Sequence, residues 1–449
     1  MKPPIQTAAE HFAEFVAFDD GQNQITYGEL VASLQDHVVR HLPDLDAGQH
    51  VAWCPANDYD GFLTFWSLLT QQLVACPISH RFPDSFLDEV VRKIDAVWLP
   101  TLLENRHHNG TSQSDARREW NDIDLHRPAT IILSSGSTGT PKKIVHSLAA
   151  HIASAEGSAK NIALQPSDRW LWNLPLCHVS GLSILIRCAV SGATVVGTPT
   201  GEKLSAGLIA DRGVTHLSLV TTQLRRLLEE DTFPARCLRS ILVGGSSIDP
   251  NLIDAARERG VKVHTTYGLT EMASQVTTSL ATDPSSTSGR VLTGRQLRIN
   301  SDGEILVSGD TLCSGYYRSG EIHSIVDEEG WFHTGDLGSL DDLGRLSVLG
   351  RSDNMFVSGG ENVHPENIER AMLDLFELQQ VVVVPKPDGT FGARPVAFVE
   401  GELPEDWRTT LRNYLSGYEI PAEAHELPSA AKLLIKPDRK LLKSLAATS

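Results

Sequence analysis

The chain has 449 residues, 41% hydrophobic and 21% charged, enough apolar material for a large core and too much chain for one compact unit. With 39 Lys and Arg against 56 Asp and Glu, the formal charge is −17, which repels a nucleic-acid backbone and an anionic membrane surface and so excludes nucleic-acid binding as the main role. The six cysteines (Cys54, Cys76, Cys177, Cys188, Cys237, Cys313) are scattered without metal-ligand spacing, Met1-Lys2-Pro3-Pro4 has no apolar signal core behind it, and no run is apolar enough to span a bilayer; the expectation is a cytoplasmic protein with no membrane span.

Short apolar runs at Ala129–Leu133, Leu171–Leu174, Ala193–Val196, His216–Leu219 and Ser240–Val243 read as buried strands with helical stretches between them. Val214–Val220 leads to a helix at Gln223–Glu230, Ile241–Gly244 to one at Asp249–Arg259, and then comes Val263–Thr266. That strand–helix repetition predicts a largely parallel, doubly wound sheet whose ligands bind where loops leave the carboxyl ends of strands. From about Asp302 the glycines 303, 309, 315, 320, 330 and 335 punctuate short strands, as in a small β-rich subdomain. After Gly350-Arg351-Ser352-Asp353 the pattern restarts: Pro365 opens a helix with Ile368, Ala371, Met372 and Leu375 on one face, followed by strands at Val381–Val384 and Pro395–Val399. The expected fold class is α/β, with a large N-terminal domain (1–350) of doubly wound sheets plus the β-rich subdomain, and a small α+β C-terminal lid domain (351–449).

Ile132-Leu133-Ser134-Ser135-Gly136-Ser137-Thr138-Gly139-Thr140-Pro141-Lys142 is a strand entering a loop of small hydroxyls and glycines, which can offer N–H groups and hydroxyls to a phosphate while Lys142 adds charge. Pro141 stands where a Walker A loop needs glycine, and Ile144-Val145 suggests a strand after it. On composition alone it would be a flexible surface loop. The full string resembles the signature loop of the adenylate-forming enzymes, the superfamily of acyl-CoA synthetases, peptide-synthetase adenylation domains and luciferases. Further strings of that superfamily follow in order. Thr26-Tyr27-Gly28-Glu29-Leu30 resembles its first helix cap, and Gly244-Gly245-Ser246 the bend against which adenine lies. Tyr267-Gly268-Leu269-Thr270-Glu271 resembles its adenylate motif, which implies Tyr267 on adenine, Thr270 on the α-phosphate and Glu271 on Mg²⁺; a flat ring suits a purine and a hard oxygen suits Mg²⁺. Trp331–Asp336 resembles the segment whose Asp336 takes the ribose hydroxyls. Gly350–Asp353 resembles the hinge, with Arg351 on the nucleotide and Asp353 as pivot, and Ser358-Gly359-Gly360-Glu361 the loop lining the coenzyme A channel. Leu434-Ile435-Lys436-Pro437-Asp438-Arg439 departs from the usual Gly-Lys-x-x-x-Arg by Ile435. Lys436, with Arg439 at +3, is the candidate catalytic lysine and Lys432 the reserve. Lys142, Thr138 and His178 complete the catalytic set.

Leu174-Pro175-Leu176-Cys177-His178-Val179-Ser180-Gly181 and the helix Leu182–Val190 should line the acid site with His178, Ser180, Arg187 and Gly268. No acid stands between Asn173 and Gly192 to hold an amino group, while Arg187 lies in an apolar helix where a carboxylate would match its bidentate geometry. The alternative is that Arg187 snorkels or pairs with a structural acid. His178 either packs as a helix-cap histidine or moves to gate coenzyme A. The length, this segment and Ala149-Ala150-His151-Ile152-Ala153-Ser154-Ala155 resemble the o-succinylbenzoate–CoA ligases of menaquinone biosynthesis. The resemblance implies ATP, Mg²⁺, coenzyme A and a small carboxylic acid with two carboxylates, o-succinylbenzoate, as the molecules bound. An enzyme that loads another acid on a carrier protein, a non-catalytic nucleotide-binding protein, and homo-oligomer formation stay open.

Overall fold

The computed structural model describes residues 1–42, 44–80, 82, 84–99, 122–134, 141–198, 202–245, 248–432 and 438–448. Of the residues singled out above, Ser135, Gly136, Ser137, Thr138, Gly139, Ser246 and Lys436 lie outside them, as does the side chain of Lys432.

The strand–helix repetition builds a nine-stranded sheet, whose parallel centre runs in the spatial order Lys262–Leu269, Ser240–Val243, His216–Leu219, Arg169–Leu171, Thr194–Val196, Val16–Asp19. The strand expected to reach Leu174 ends at Leu171, its last ladder bond running from Trp172 N–H to Val196 O on the neighbouring strand, which itself ends there. A seven-stranded sheet carries the Pro128–Ser134/Lys142–Ser147 hairpin, and the four strands Arg295–Ile299, Glu304–Gly309, Phe332–Leu340 and Leu346–Arg351 form a small antiparallel sheet. Gly315–Arg318 and Glu321–His323 do not join that small sheet, as their glycines had suggested; Gly315–Arg318 pairs with Lys142–Ser147 at the edge of the seven-stranded sheet. The pairing brings a segment distant in sequence beside Lys142.

The helix Leu148–Ala159 is built of small residues because it is pinched between sheets: it meets Pro128–Ser134 and Lys142–Ser147 on one side and Ser274–Thr278 on the other. A Cβ at Gly157 would fall 2.1 Å from Arg295 Nη1, and Ser154 Oγ donates to Ala273 O. The helix Tyr59–Thr70 buries nearly its whole circumference, as expected of a helix apolar all round, in a core that also holds Trp170 and Trp172. Thr26 and Glu29 close a reciprocal capping box at the start of Tyr27–His41.

Beyond residue 351, two further clusters assemble around the strands Gln380–Asp388 and Gly392–Glu400: Val363, Ile368, Met372 and Val383 on one face, Val382, Val384, Phe398 and Leu442 on the other. The helix Pro365–Leu375 rests on Leu346–Arg351, close enough that a Cβ at Gly350 would meet Glu366 Oε2 at 2.4 Å. Among the described residues, no helix is long and apolar enough to cross a membrane.

Candidate functional site

Ser134 and Lys142 face each other as paired residues of one hairpin, so they bracket the phosphate-loop residues 135–140 between two strand ends. Lys142 Nζ lies 3.9 Å from Glu271 Oε1 and donates to Tyr316 Oη at 3.1 Å. Tyr316 in turn donates to Glu271 Oε1 at 2.8 Å. These residues line a cleft of about 460 Å³ with Arg318, His323, Asp336 and Arg351.

Glu271 is placed by a tight turn. Lys262–Leu269 pairs with Ser274–Thr278 with Gly268 opposite Gln275, and the chain between them is a single 3₁₀ turn, Thr270–Met272. Ser274 O packs so closely that a Cβ at Gly268 would sit 2.1 Å from it, hence glycine. Ala273 and Ser274 hold φ of 50° and 122°, backbone strain of the kind that clusters at ligand-binding turns. His146 Nε2 donates to Thr270 O at 2.7 Å; burial pushes His146 down to about 4, so its ring is neutral and Nε2–H is available to that carbonyl.

Asp336 lines the same cleft, its Oδ2 accepting from Tyr267 Oη at 2.7 Å and its Oδ1 from Arg351 Nη1 at 3.2 Å. Tyr267 is 9% exposed, packed with Met272, Val276 and Phe332, and burial followed by the Asp336 charge raises its phenol far above the usual range, which keeps it a donor. The phenol therefore braces Asp336. Gly244 and Gly245 leave the strand Ser240–Val243; Gly245 has φ of 84°, and a Cβ at Gly244 would meet Thr266 Cγ2 at 2.5 Å. Arg351 also holds Asp353 at 3.1 Å, tying the expected pivot to the nucleotide-side cluster.

Arg187 is 3% exposed on the helix Val179–Ser191. Its Nη2 donates to Gln275 Oε1 at 2.7 Å and Ser274 Oγ at 3.4 Å, and its guanidinium lies 5.3 Å over the Trp170 ring. It neither snorkels nor, among the described residues, pairs with a carboxylate, and its Nε has no partner there. Arg295, 6% exposed, is held by neutral acceptors, among them Gln275 O, Thr293 O and Ser154 O. Burial, and then the Arg295 charge, pushes Arg187 down to about 9, and burial pushes Arg295 down to about 10, so both stay cationic at neutral pH. Two buried cations that have no carboxylate partner among the described residues are costly unless an anion joins them. His178 is the N-cap residue of the same helix, makes no side-chain cap bond, and lies with Ser180 at the end away from Arg187.

Ser358, Gly359 and Gly360 do not line the cleft. They form the turn of the Phe356–Ser358/Glu361–Val363 hairpin, with φ of 60° and 91° at the two glycines, the left-handed pair a tight two-residue hairpin demands. Arg439 does not face the cleft either: it pairs with Glu369 at 2.7 Å and Glu366 at 3.8 Å, so the +3 arginine anchors the end of the Lys436 segment to the helix Pro365–Leu375.

Sequence reasoning missed Tyr316, His146, Gln275 and Arg295. The only sequence signal was an arginine in an otherwise alternating strand at Arg295 and a Tyr-Tyr pair at 316 and 317; the partners come together through pairings invisible in one dimension.

The cleft thus gathers a nearly buried carboxylate, Glu271, an aspartate, Asp336, and the lysine Lys142 that ends the Ser/Gly-rich string. Residues 5–317 match the model of the AMP-binding enzyme family, and the chain belongs to that family. It is 39% identical over 430 residues to the 2-succinylbenzoate–CoA ligase of Escherichia coli K12, covering 93% of this chain and 92% of that one. Of solved structures, a point variant of E. coli MenE with bound OSB-AMS superposes with TM-score 0.85 at 28% identity, over 100% of this chain and 99% of that one. Bacillus subtilis MenE in complex with ATP and magnesium ion superposes with TM-score 0.82 at 25% identity, over 95% and 96%.

Proposed function

We propose that the protein is an ATP-dependent 2-succinylbenzoate–CoA ligase, and that the buried Arg187–Arg295 pair, just past Glu271 in the fold, reads the substrate's second carboxylate. That pair carries the assignment, because an acid with one carboxylate would leave both cations unneutralised.

In the first half-reaction an oxygen of the other carboxylate attacks the α-phosphorus of ATP, the bond to the bridging oxygen breaks, and pyrophosphate leaves with the electron pair. Glu271 fits Mg²⁺: Oε1 is taken by Tyr316, and among the described residues Oε2 has no partner, so one hard oxygen is available. Mg²⁺ held there supplies charge neutralisation on the phosphates. Lys142 adds positive charge from the phosphate-loop side. Asp336, held by Tyr267 and Arg351, is the acceptor proposed for the ribose hydroxyls. In the second half-reaction the coenzyme A sulfur attacks the acyl carbon, AMP leaves, and the thiol proton passes to solvent. Residues 351–449 act as a lid that presents Lys436 for the first step and the Ser358–Gly360 turn for the second. The location is the cytoplasm, where ATP and coenzyme A are available.

Pyrophosphate release over a panel of acids, with and without coenzyme A, tests the assignment. o-Succinylbenzoate should exceed monocarboxylic analogues, and Arg187→Ala should raise its KM by on the order of 30-fold or more, the 2–5 kcal/mol typical of a broken buried charged pair, while sparing that of ATP. Equal losses for mono- and dicarboxylic acids would remove the second-carboxylate reading.

A further inference from the structure

We propose that Tyr316 is a positioning residue for the metal: its hydroxyl holds one oxygen of Glu271 so that the other is presented to the cation, and Lys142 orients that hydroxyl. The inference rests on Glu271 as the Mg²⁺ ligand.

Tyr316 lies outside the strings quoted above, on Gly315–Arg318, and reaches the cleft because it pairs with Ile144 in the seven-stranded sheet. Lys142 is two residues along the same strand face, which puts its Nζ 3.1 Å from the Tyr316 hydroxyl and 5.0 Å from the ring centroid. The ammonium can only donate, so the hydroxyl proton is directed away from Lys142 and onto Glu271 Oε1 at 2.8 Å. The backbone repeats the link: Cys313 N–H, two residues before Gly315, donates to Glu271 O at 2.7 Å. A free carboxylate rotates about its last bond and loses that freedom on chelation; one fixed beforehand binds with less entropy to give up.

Tyr316→Phe keeps the ring and deletes the hydroxyl. Mn²⁺ binding, followed by electron paramagnetic resonance with a non-hydrolysable α,β-methylene ATP, should weaken by about 10-fold, the scale of a hydrogen bond to a charged group. The Mg²⁺ concentration for half-maximal adenylation should rise by the same factor. Thermal stability and the rate of thioester formation from synthetic acyl-adenylate should stay at parent values. Parent-like Mn²⁺ binding overturns the proposal, as does an equal slowing of the thioester step, which would mark a general structural defect. Glu271→Ala, run alongside, separates the failures: if it binds Mn²⁺ like the parent, the metal assignment itself falls; if it loses Mn²⁺ while Tyr316→Phe does not, only the role of Tyr316 falls.

Discussion

Glu271 is nearly buried, between a lysine at 3.9 Å and a phenol at 2.8 Å, and its proposed partner in the reaction is Mg²⁺. Glu271→Ala should lower the adenylation rate on the order of 100-fold, several kcal/mol of charge stabilisation at about 1.4 kcal/mol per factor of ten, and raising Mg²⁺ should not restore it. Full turnover at limiting Mg²⁺ would show that another group binds the metal. Glu271, Asp336 and Lys142 were legible in the sequence because each sits in a contiguous string whose residue types announce the chemistry. Tyr316, Gln275 and Arg295 were not, since each acquires its role from a partner more than ten residues away in the chain. Arg187 was half legible: a lone charge in an apolar helix raises the question of its partner, and only burial shows that it does not snorkel.

At the level of elements, hydrophobic periodicity marked the parallel strands and the helix opened by Pro365, whereas glycine content misassigned Gly315–Arg318. Glycines announce turns without saying which sheet a strand joins, and that choice here depends on the edge left open by Lys142–Ser147. The string Ala149–Ala155 looks bland in composition, yet its small side chains are what let two sheets close on one helix. The Gly359–Gly360 turn has a structural reason of its own in its two positive φ angles. A Cβ at Gly360 would meet nothing within 4 Å, so Gly360→Val acts through strain, about 1–3 kcal/mol at such a φ, and through bulk toward whatever approaches the turn. It should slow thioester formation from synthetic adenylate and spare adenylation, while Lys436→Ala should do the reverse. Single-turnover assays of each half-reaction check this; equal slowing of both steps in Lys436→Ala would discard the two-faced lid.

Across the whole molecule, the residues after 351 meet the rest partly through a pair of carboxyls. Asp374 on Pro365–Leu375 is pushed up to about 7, first by burial and then by Asp249, with Arg370 and Arg225 pulling the other way. Asp249 caps the helix Pro250–Glu258 through two backbone N–H groups and pairs with Arg225 at 2.8 Å, so the shared proton belongs on Asp374. A carboxyl raised from 3.8 binds its proton more tightly in the folded arrangement. Its contribution is therefore lost as pH rises from about 4 through about 7. The Tm difference between Asp374→Asn and the parent should be smallest near pH 4 and grow in the variant's favour toward pH 8; a constant difference across that range would show that the pair does not share a proton. The separate clusters beyond residue 351 were foreseeable from the restart of hydrophobic patterning after Asp353, but this docking was not, because it joins a helix cap to a helix end 125 residues apart.

The reaction itself is tested most directly by a rapid-quench single turnover with α-labelled ATP, Mg²⁺ and o-succinylbenzoate. Without coenzyme A, a labelled acyl-adenylate should accumulate to the enzyme concentration with release of pyrophosphate, and adding coenzyme A should convert it to AMP and an acyl-CoA thioester. Formation of labelled ADP, or of thioester with no adenylate before it, would contradict the account.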